Sequence, residues 1–197
     1  MTPQPERVLD LFTETGAYLE GHFRLSSGLH SSGYLQSALV LQYPHFAELL
    51  GRKLAAALSP LTDHEPIGLV ISPALGGLII GHEVARAMGV RFLFTERDAD
   101  RKMSLRRGFS IVPGEKLVVI EDVITTGGST REVIEVARAL GGVPVAAGSI
   151  IDRSGGAAEL GIPRRCLETL DVPAFEAAGC PMCLRGEAVT RPGSRPG

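Results

Sequence analysis

The stretch Leu117-Val118-Val119-Ile120-Glu121-Asp122-Val123-Ile124-Thr125-Thr126-Gly127-Gly128-Ser129-Thr130 decides the fold. Its apolar start, from Lys116 to Ile120, reads as a strand buried on both faces. That strand delivers two adjacent carboxylates, Glu121 and Asp122, to its C-terminal end. A loop of threonine, glycine and serine follows. A helix is expected from Thr130 to Leu140, closed by Gly141-Gly142. In a parallel sheet, ligands bind in the crevice beyond the strand ends. Thr125, Thr126, Ser129 and Thr130 supply hydroxyls there, while Gly127 and Gly128 let the backbone approach a ligand closely. Loop N–H groups and a helix N-terminus favour an anion, most simply a phosphate. Capping by Ser129 or Thr130 would explain one hydroxyl, but not four with two glycines after an acidic pair.

The same rhythm extends outward. Ile67–Ile71 reads as a strand, Pro73-Ala74-Leu75-Gly76-Gly77 as a turn, and Leu78–Met88 as a helix closed by Gly89. Arg91–Thr95 and Val145–Ile151 read as two further strands. Strands alternating with helices of this length imply an α/β fold with a parallel sheet flanked by helices. Upstream, Pro44–Leu58 is an expected helix, with Phe46, Leu49, Leu50, Leu54 and Ala57 at helical spacing. Residues 4–16 suggest a short amphipathic helix carrying Val8, Leu9, Leu11 and Phe12 on one side. Two stretches, Gly21–Gly28 and Gly33–Leu41, suggest a hairpin or small flap. The chain is expected to form a single domain over 1–197. Residues 1–43 would make the flap, 44–160 the core, and 161–197 a C-terminal hood and tail. The end, Arg191–Gly197, is rich in Pro, Gly and Arg and is expected to fray.

Composition bounds the function. The chain has 197 residues, 44% hydrophobic and 21% charged, which fits a globular protein and argues against a largely disordered one. A net charge of −2 offers no overall basic character for nucleic acid, so no nucleic-acid partner is expected. No apolar run approaches the roughly 20 residues that span a bilayer, so no membrane partner is expected. Met1–Leu11 carries Glu6, Arg7 and Asp10 with no apolar signal core, which points to the cytoplasm. Of 20 basic residues only three are lysines: Lys53, Lys102 and Lys116. Glu96–Pro113 is long, polar and basic, with Arg97, Arg101, Lys102, Arg106 and Arg107. It reads either as a mobile lid or as a solvated loop or short hairpin. Cys180-Pro-Met-Cys183 can bind metal or cycle redox state. Structural zinc wants four ligands, however, and there is no second CxxC. Cys166 and a distant His could complete a site, but nothing in the spacing demands it.

Several competing motifs are absent. The sequence has no GK dipeptide and so no Walker A loop, and no GxGxxG, GxSxG or HExxH. Val118–Thr130 instead resembles the phosphoribosyl-pyrophosphate (PRPP) signature of type I phosphoribosyltransferases: four apolar residues, two acids, two apolar or small residues, then Thr-x-Gly-[Gly/Thr]. Phe23-Arg24-Leu25-Ser26-Ser27-Gly28-Leu29-His30-Ser31, followed by Tyr34, looks like the FxLxSGxxS flap of the orotate phosphoribosyltransferase family. Ser72-Pro73-Ala74-Leu75-Gly76-Gly77 is similar to that family's pyrophosphate loop, and Ile150-Ile151-Asp152-Arg153 resembles the strand end that carries its orotate-binding Arg.

The resemblance implies a type I phosphoribosyltransferase-like fold with a flap or hood. It also implies PRPP, orotate and Mg2+ as the reaction's components, and orotidine 5′-monophosphate as its product. By the same resemblance, Val123, Ile124, Thr125, Thr126, Gly127, Gly128 and Ser129 hold the 5′-phosphate end of PRPP. Glu121 and Asp122 face the ribose hydroxyls, and Asp122 is the candidate contact to magnesium, which otherwise rides on PRPP. Ala74, Leu75 and Gly76 meet pyrophosphate, while Thr125 and Arg153 meet orotate. Arg97, Arg101 and Lys102 belong to a catalytic loop that reaches a neighbouring subunit's site, which implies a homodimer. The chain departs from the family pattern at Glu121, where many relatives have Asp, and at Ser26, where many have Lys. Its loop also has one Lys and no His. Two related functions stay open, a purine phosphoribosyltransferase and a PRPP-sensing RNA-binding regulator. A third reading is a zinc-binding interaction module built on Cys180 and Cys183.

Overall fold

A computed structural model of the chain describes residues 7–25, 28–62 and 66–191. Ser26 and Ser27 of the flap motif, the start of the expected first helix and the tail beyond residue 191 lie outside these residues. In chain order the elements are α1 (Val8–Glu14), β1 (Tyr18–Arg24), β2 (His30–Leu35), α2 (Ser37–Leu41), α3 (Pro44–Thr62), β3 (Leu69–Pro73), α4 (Gly77–Met88), β4 (Arg91–Arg97), β5 (Met103–Leu105), β6 (Lys116–Ile124), α5 (Gly128–Ala139), β7 (Val143–Asp152), β8 (Arg164–Thr169), β9 (Ala174–Phe175) and α6 (Pro181–Leu184). They fall into two compact units: Leu41–Leu170, and Met1–Val40 joined with Asp171–Gly197.

The continuous unit is built on a six-stranded sheet in the order β5-β4-β3-β6-β7-β8. All neighbours are parallel except β4 and β5. Strand residues alternate between two covered faces, which is why the sequence reads as unbroken apolar runs. On one face Leu69, Ile71, Leu117 and Val119 meet Val133, Ile134 and Ala137 of α5 in a single buried cluster. On the other face, Ile120 meets Leu54 and Leu58 of α3 over Gly148, where a Cβ would lie 3.0 Å from the tips of Ile120 and Leu58. Each such buried Leu or Ile stabilises the fold by about 1.5–3 kcal/mol relative to exposure.

Besides Gly33–Leu41, expected as one stretch of the flap but ending its strand at Leu35 and helical over Ser37–Leu41, three elements differ from the sequence reading. The long basic segment contains a strand, β5, antiparallel to β4 through Thr95↔Leu105, Glu96↔Ser104 and Arg97↔Met103. The hairpin reading of this segment therefore holds for its first half. Second, β6 runs on to Ile124, so the acidic pair sits within the strand rather than beyond it. Third, β8 adds a parallel edge strand with no fully buried residue, which leaves no apolar signature to read.

The composite unit holds a three-stranded antiparallel sheet, β1-β2-β9. Its hairpin pairs Tyr18↔Leu35 at one end and Arg24↔His30 at the other, with a bulge between Glu20 and Phe23. The C-terminal segment joins through His30↔Phe175 and Ser31↔Ala174, and Ser31 donates its hydroxyl to the Pro173 carbonyl at 3.1 Å. Among the described residues no helix is long and apolar enough to cross a membrane.

One glycine tests the packing against local propensity. A Cβ at Gly51 of α3 would stand 2.6 Å from Glu83 Cβ and 2.8 Å from the Glu83 carbonyl carbon of α4. Helix propensity alone would make Gly51→Ala stabilising by about 1 kcal/mol. Forcing two helix backbones apart costs about 1–3 kcal/mol. The expected outcome is a net loss of stability, seen as a lower midpoint in chemical denaturation. An unchanged or raised midpoint would show that the helices separate freely.

Candidate active site

The strand order reverses between β3 and β6: β4 lies outside β3, and β7 lies outside β6. Such a switch point opens a crevice at the carboxyl ends of the strands. Here β3 and β6 pair through Leu69↔Leu117, Val70↔Val118 and Ile71↔Val119. Both strands continue past that last pair. The turn after β3 approaches β6, and its closest points, Gly76 and Gly77, carry no side chain. A Cβ at Gly76 would fall 2.5 Å from Asp122 Oδ1, and one at Gly77 would fall 2.8 Å from Ser72 Cβ. The Ala74–Leu75 peptide in this turn is cis, and Leu75 is 81% exposed. Gly76 therefore meets Asp122 at the crevice, directly after Ala74 and Leu75.

Glu121 and Asp122 occupy successive positions of β6, so they point to opposite sides of the sheet. Asp122 faces the Gly76 turn. Glu121 accepts a short hydrogen bond from the Thr130 hydroxyl of α5. Burial pushes the Glu121 carboxyl up to about 7; the Thr130 bond opposes that rise, and the charges of Asp122 and Glu132 add to it. Thr130 therefore does not cap its helix.

The cap position belongs to Gly127, whose φ of 73° and ψ of 12° lie in the left-handed region. A side chain there would be strained, and a Cβ would also lie 2.6 Å from Leu160 Cδ2. Arg131 clamps the loop from the first turn of α5, donating through Nη1 to the Thr126 carbonyl at 2.9 Å and the Glu159 carbonyl at 3.0 Å. Thr125, Thr126, Arg131, Ser154 and Glu159 line a cleft of about 440 Å³. This basic group at the phosphate-type loop was missed in the sequence. Its only signal is a position one turn into a helix that follows a glycine pair.

Arg153 follows β7 directly, and its N–H donates to the Ile124 carbonyl at 2.7 Å, so it stands beside Thr125. Its neighbour Asp152 does not pair with it. Asp152 accepts Ser154 N–H at 2.7 Å and the Ser154 hydroxyl at 2.6 Å on Oδ1, and pairs with Arg164 of β8 through Oδ2. Burial raises the Asp152 carboxyl most, but hydrogen bonds from Ser154 and Arg164 together hold it below its ordinary value. Arg164 thus takes the partner that a surface reading would give to Arg153.

The basic residues of the hairpin gather elsewhere. Arg97 forms a two-point pair with Glu132 of α5 at 2.8 and 3.2 Å and donates to the Arg101 carbonyl at 2.7 Å. Arg101 turns the chain at φ 63°, and the Asp98 carboxylate accepts the Lys102 N–H at 2.9 Å. Arg97, Arg101, Lys102, Glu132 and Glu135 line a second cleft of about 320 Å³. The hairpin rests on α5 through the Arg97–Glu132 pair. Arg107 is held by Glu96 at 2.7 Å, and that pair lowers the Glu96 carboxyl.

No family model matches the chain. Curated relatives do. An orotate phosphoribosyltransferase of Pelotomaculum thermopropionicum is 51% identical over 190 residues, covering 96% of this chain and 97% of the relative. An orotate phosphoribosyltransferase of Desulforamulus reducens is 50% identical with the same coverage. Among solved structures, orotate phosphoribosyltransferase from Aeropyrum pernix matches with a TM-score of 0.64 and 27% identity, covering 82% of this chain and 92% of that one.

The raised Glu121 carboxyl has a stability consequence. Between the ordinary carboxylate range and about pH 7, the folded chain keeps a proton that the unfolded chain has lost. Stability therefore falls as pH rises through that window and stays low above it. Glu121→Gln keeps an acceptor for Thr130 and removes the buried charge. It should raise the melting temperature by a few degrees, about 2–4 °C per kcal/mol, at pH 8.5 and by little at pH 5. Differential scanning calorimetry at the two pH values checks this. Equal shifts at both would show that Glu121 is not the titrating group.

Proposed function

The chain belongs to the orotate phosphoribosyltransferase family, and we propose that it transfers the 5-phosphoribosyl group from PRPP to orotate. The products are orotidine 5′-monophosphate and pyrophosphate, in de novo pyrimidine (UMP) synthesis in the cytoplasm. The observation that carries this reading is the switch-point crevice. There Asp122 meets the turn at Gly76, and the glycine-rich Thr125–Ser129 loop follows from the same strand, with Arg153 beside Thr125.

Orotate N1 attacks ribose C1 as pyrophosphate leaves. The bond to pyrophosphate loosens early, so positive charge develops on the ribose and negative charge on the leaving group. The chain's task is positioning and electrostatics. Loop N–H groups and hydroxyls from Thr125 to Ser129 hold the 5′-phosphate at the start of α5, and Arg131 adds positive charge at its side. Val123 and Ile124 carry the backbone into that loop. Asp122 accepts hydrogen bonds from the ribose hydroxyls, which suits an acceptor-only carboxylate, while Glu121, expected beside it, points to the other side of β6 and holds Thr130 of α5. Ala74, Leu75 and Gly76 offer backbone amides to the pyrophosphate, and Gly76 adds no Cβ at the point closest to Asp122. Arg153 offers two parallel donors to the carboxylate or ring carbonyls of orotate, with Thr125 against the ring. Neutral purine bases lack that carboxylate.

The donors at the crevice fit magnesium, because carboxylate oxygens without sulfur or imidazole suit a hard cation that keeps most of its shell on substrate oxygens and water. Asp122 would hold it, and when bound it neutralises charge on the pyrophosphate. Lys102, Arg97 and Arg101 supply the mobile positive charge, reaching a neighbouring subunit's site in a homodimer. Residues 1–40 and 171–197 are assigned to the flap and hood of the one catalytic domain; 161–170, expected in the hood, carries β8 of the six-stranded sheet.

A panel of orotate, hypoxanthine, xanthine and adenine with PRPP tests the base. Only orotate should yield a nucleotide and pyrophosphate; turnover of a purine instead would overturn the assignment. Arg153→Ala should lower kcat/KM for orotate about 10- to 100-fold, the worth of a charged hydrogen bond, and parental kinetics would remove Arg153 from the base site. Lys102→Ala should lower kcat about 100-fold, as loss of one charge-stabilising donor does, with the melting temperature unchanged. A near-parental kcat would assign that role to the arginines.

A further inference from the structure

The composite unit brings together four side chains that the transferase reaction does not use: His22, His30, Cys180 and Cys183. One ligand-type atom from each lies within 4.8 Å of all the others. His22 Nε2 is 2.8 Å from His30 Nδ1, 3.6 Å from Cys180 Sγ and 3.7 Å from Cys183 Sγ. Cys183 Sγ is 3.2 Å from His30 Nδ1. Three of the four residues are buried, with Cys183 at the exposed edge, and both thiols are free.

The backbone is arranged to aim these groups. Arg24 pairs with His30, and His22, two residues earlier, brings its Nε2 within 2.8 Å of His30 Nδ1. The bulge between Glu20 and Phe23 breaks the alternation and turns both His22 and Phe23 inward. The His22 carbonyl accepts the Thr190 N–H at 2.9 Å, which ties this strand to the C-terminal segment that carries both cysteines. His22 Nδ1 lies 2.9 Å from the Glu187 carbonyl. A carbonyl only accepts, so Nδ1 carries the hydrogen and Nε2 presents its lone pair to the cluster. That is the outer support by which a metal-binding imidazole is fixed in orientation and tautomer.

We propose that His22, His30, Cys180 and Cys183 form a structural zinc site that staples the C-terminal segment to the β1–β2 hairpin. Two thiolates and two imidazoles suit a borderline-soft, four-coordinate ion and do not suit magnesium or calcium. Tetrahedral zinc needs separations of about 3.3 Å between nitrogens, about 3.6 Å from nitrogen to sulfur and about 3.8 Å between sulfurs. The distances from His22 to both sulfurs and from His30 to Cys183 bracket the nitrogen–sulfur value; the two imidazoles need to part by about half an ångström, and the cluster, which spans up to 4.8 Å, needs to close by about one ångström at its widest. All four positions are filled by the protein, so the ion supports the fold and leaves no site for a reacting water. The need is physical. The hairpin and the C-terminal segment otherwise meet through a two-residue strand and a few backbone bonds, and small units of this kind rely on a metal or disulfide for stability.

The test uses the full chain, without a histidine tag, purified from medium supplemented with zinc. Elemental analysis should find about one zinc per chain. Replacement by Co2+ should give the visible bands of a tetrahedral thiolate complex. A thiol reagent should react quickly with Cys166 alone and reach Cys180 and Cys183 only after a strong chelator is added, which should also lower the melting temperature. The Cys180→Ser/Cys183→Ser and His30→Gln variants should lose at least nine-tenths of the metal. The thiol and cobalt measurements use the parent chain, so they decide the question even where a variant does not fold. Metal-free protein that takes up no Co2+, three thiols reacting together, a Cys180–Cys183 disulfide in the purified chain, or a cysteine variant that keeps its zinc would each overturn the proposal.

Discussion

The site depends on one constraint: two chain segments must pass one another at the β3/β6 gap with no side chain between them. Gly76 lies where any Cβ would collide with Asp122, and Gly77 where it would collide with Ser72. Because that approach is so close, the turn after β3 can present its backbone on the same side as the carboxylate of β6. The sheet order makes this possible, since only at the reversal do two neighbouring strands send their following loops apart and leave a crevice. Everything else in the crevice is fixed relative to these two strands. The Thr125–Ser129 loop starts α5, and Arg153 is tied by its N–H to Ile124.

The electrostatics divide into two regimes. Glu121 and Asp152 sit inside the protein, and their states are set by burial and by single hydrogen bonds from Thr130, Ser154 and Arg164. The basic hairpin is different. Arg97 and Glu132 are about equally exposed, at 40% and 41%, and water screens their pair. A weak, solvated pair is readily exchanged for a more strongly charged partner such as pyrophosphate. The arginine-rich composition of the chain therefore does not freeze the hairpin on α5.

Much of the core and crevice was legible because the signals were local. Leu117–Ile120 announces a doubly covered strand, and Gly127 the tight turn that opens α5. What could not be read depends on partners far apart in sequence or on geometry. β8 is half-exposed along its length and carries no apolar run. Thr130 reads as a helix cap, yet Gly127 takes that position through its left-handed backbone and frees the hydroxyl for Glu121. Nothing local to Asp152 announces Arg164 as its partner; the β7–β8 register puts it there. The His22–Cys183 cluster was invisible for the same reason. A bulge chooses the inward histidine, and the cysteines arrive from the other end of the chain.

The Thr190–His22 pairing has a consequence for synthesis. The unit from Leu41 to Leu170 is continuous, so it can fold as soon as its last strand leaves the ribosome. The composite unit cannot. His22 waits for Thr190, 168 residues later, and the hairpin must remain without its third strand until the chain is almost complete. Closing so long a loop is cheap once the intervening unit is compact, because its ends are no longer a random coil. The protein thus completes its structure from the middle outward, and the two ends are joined last.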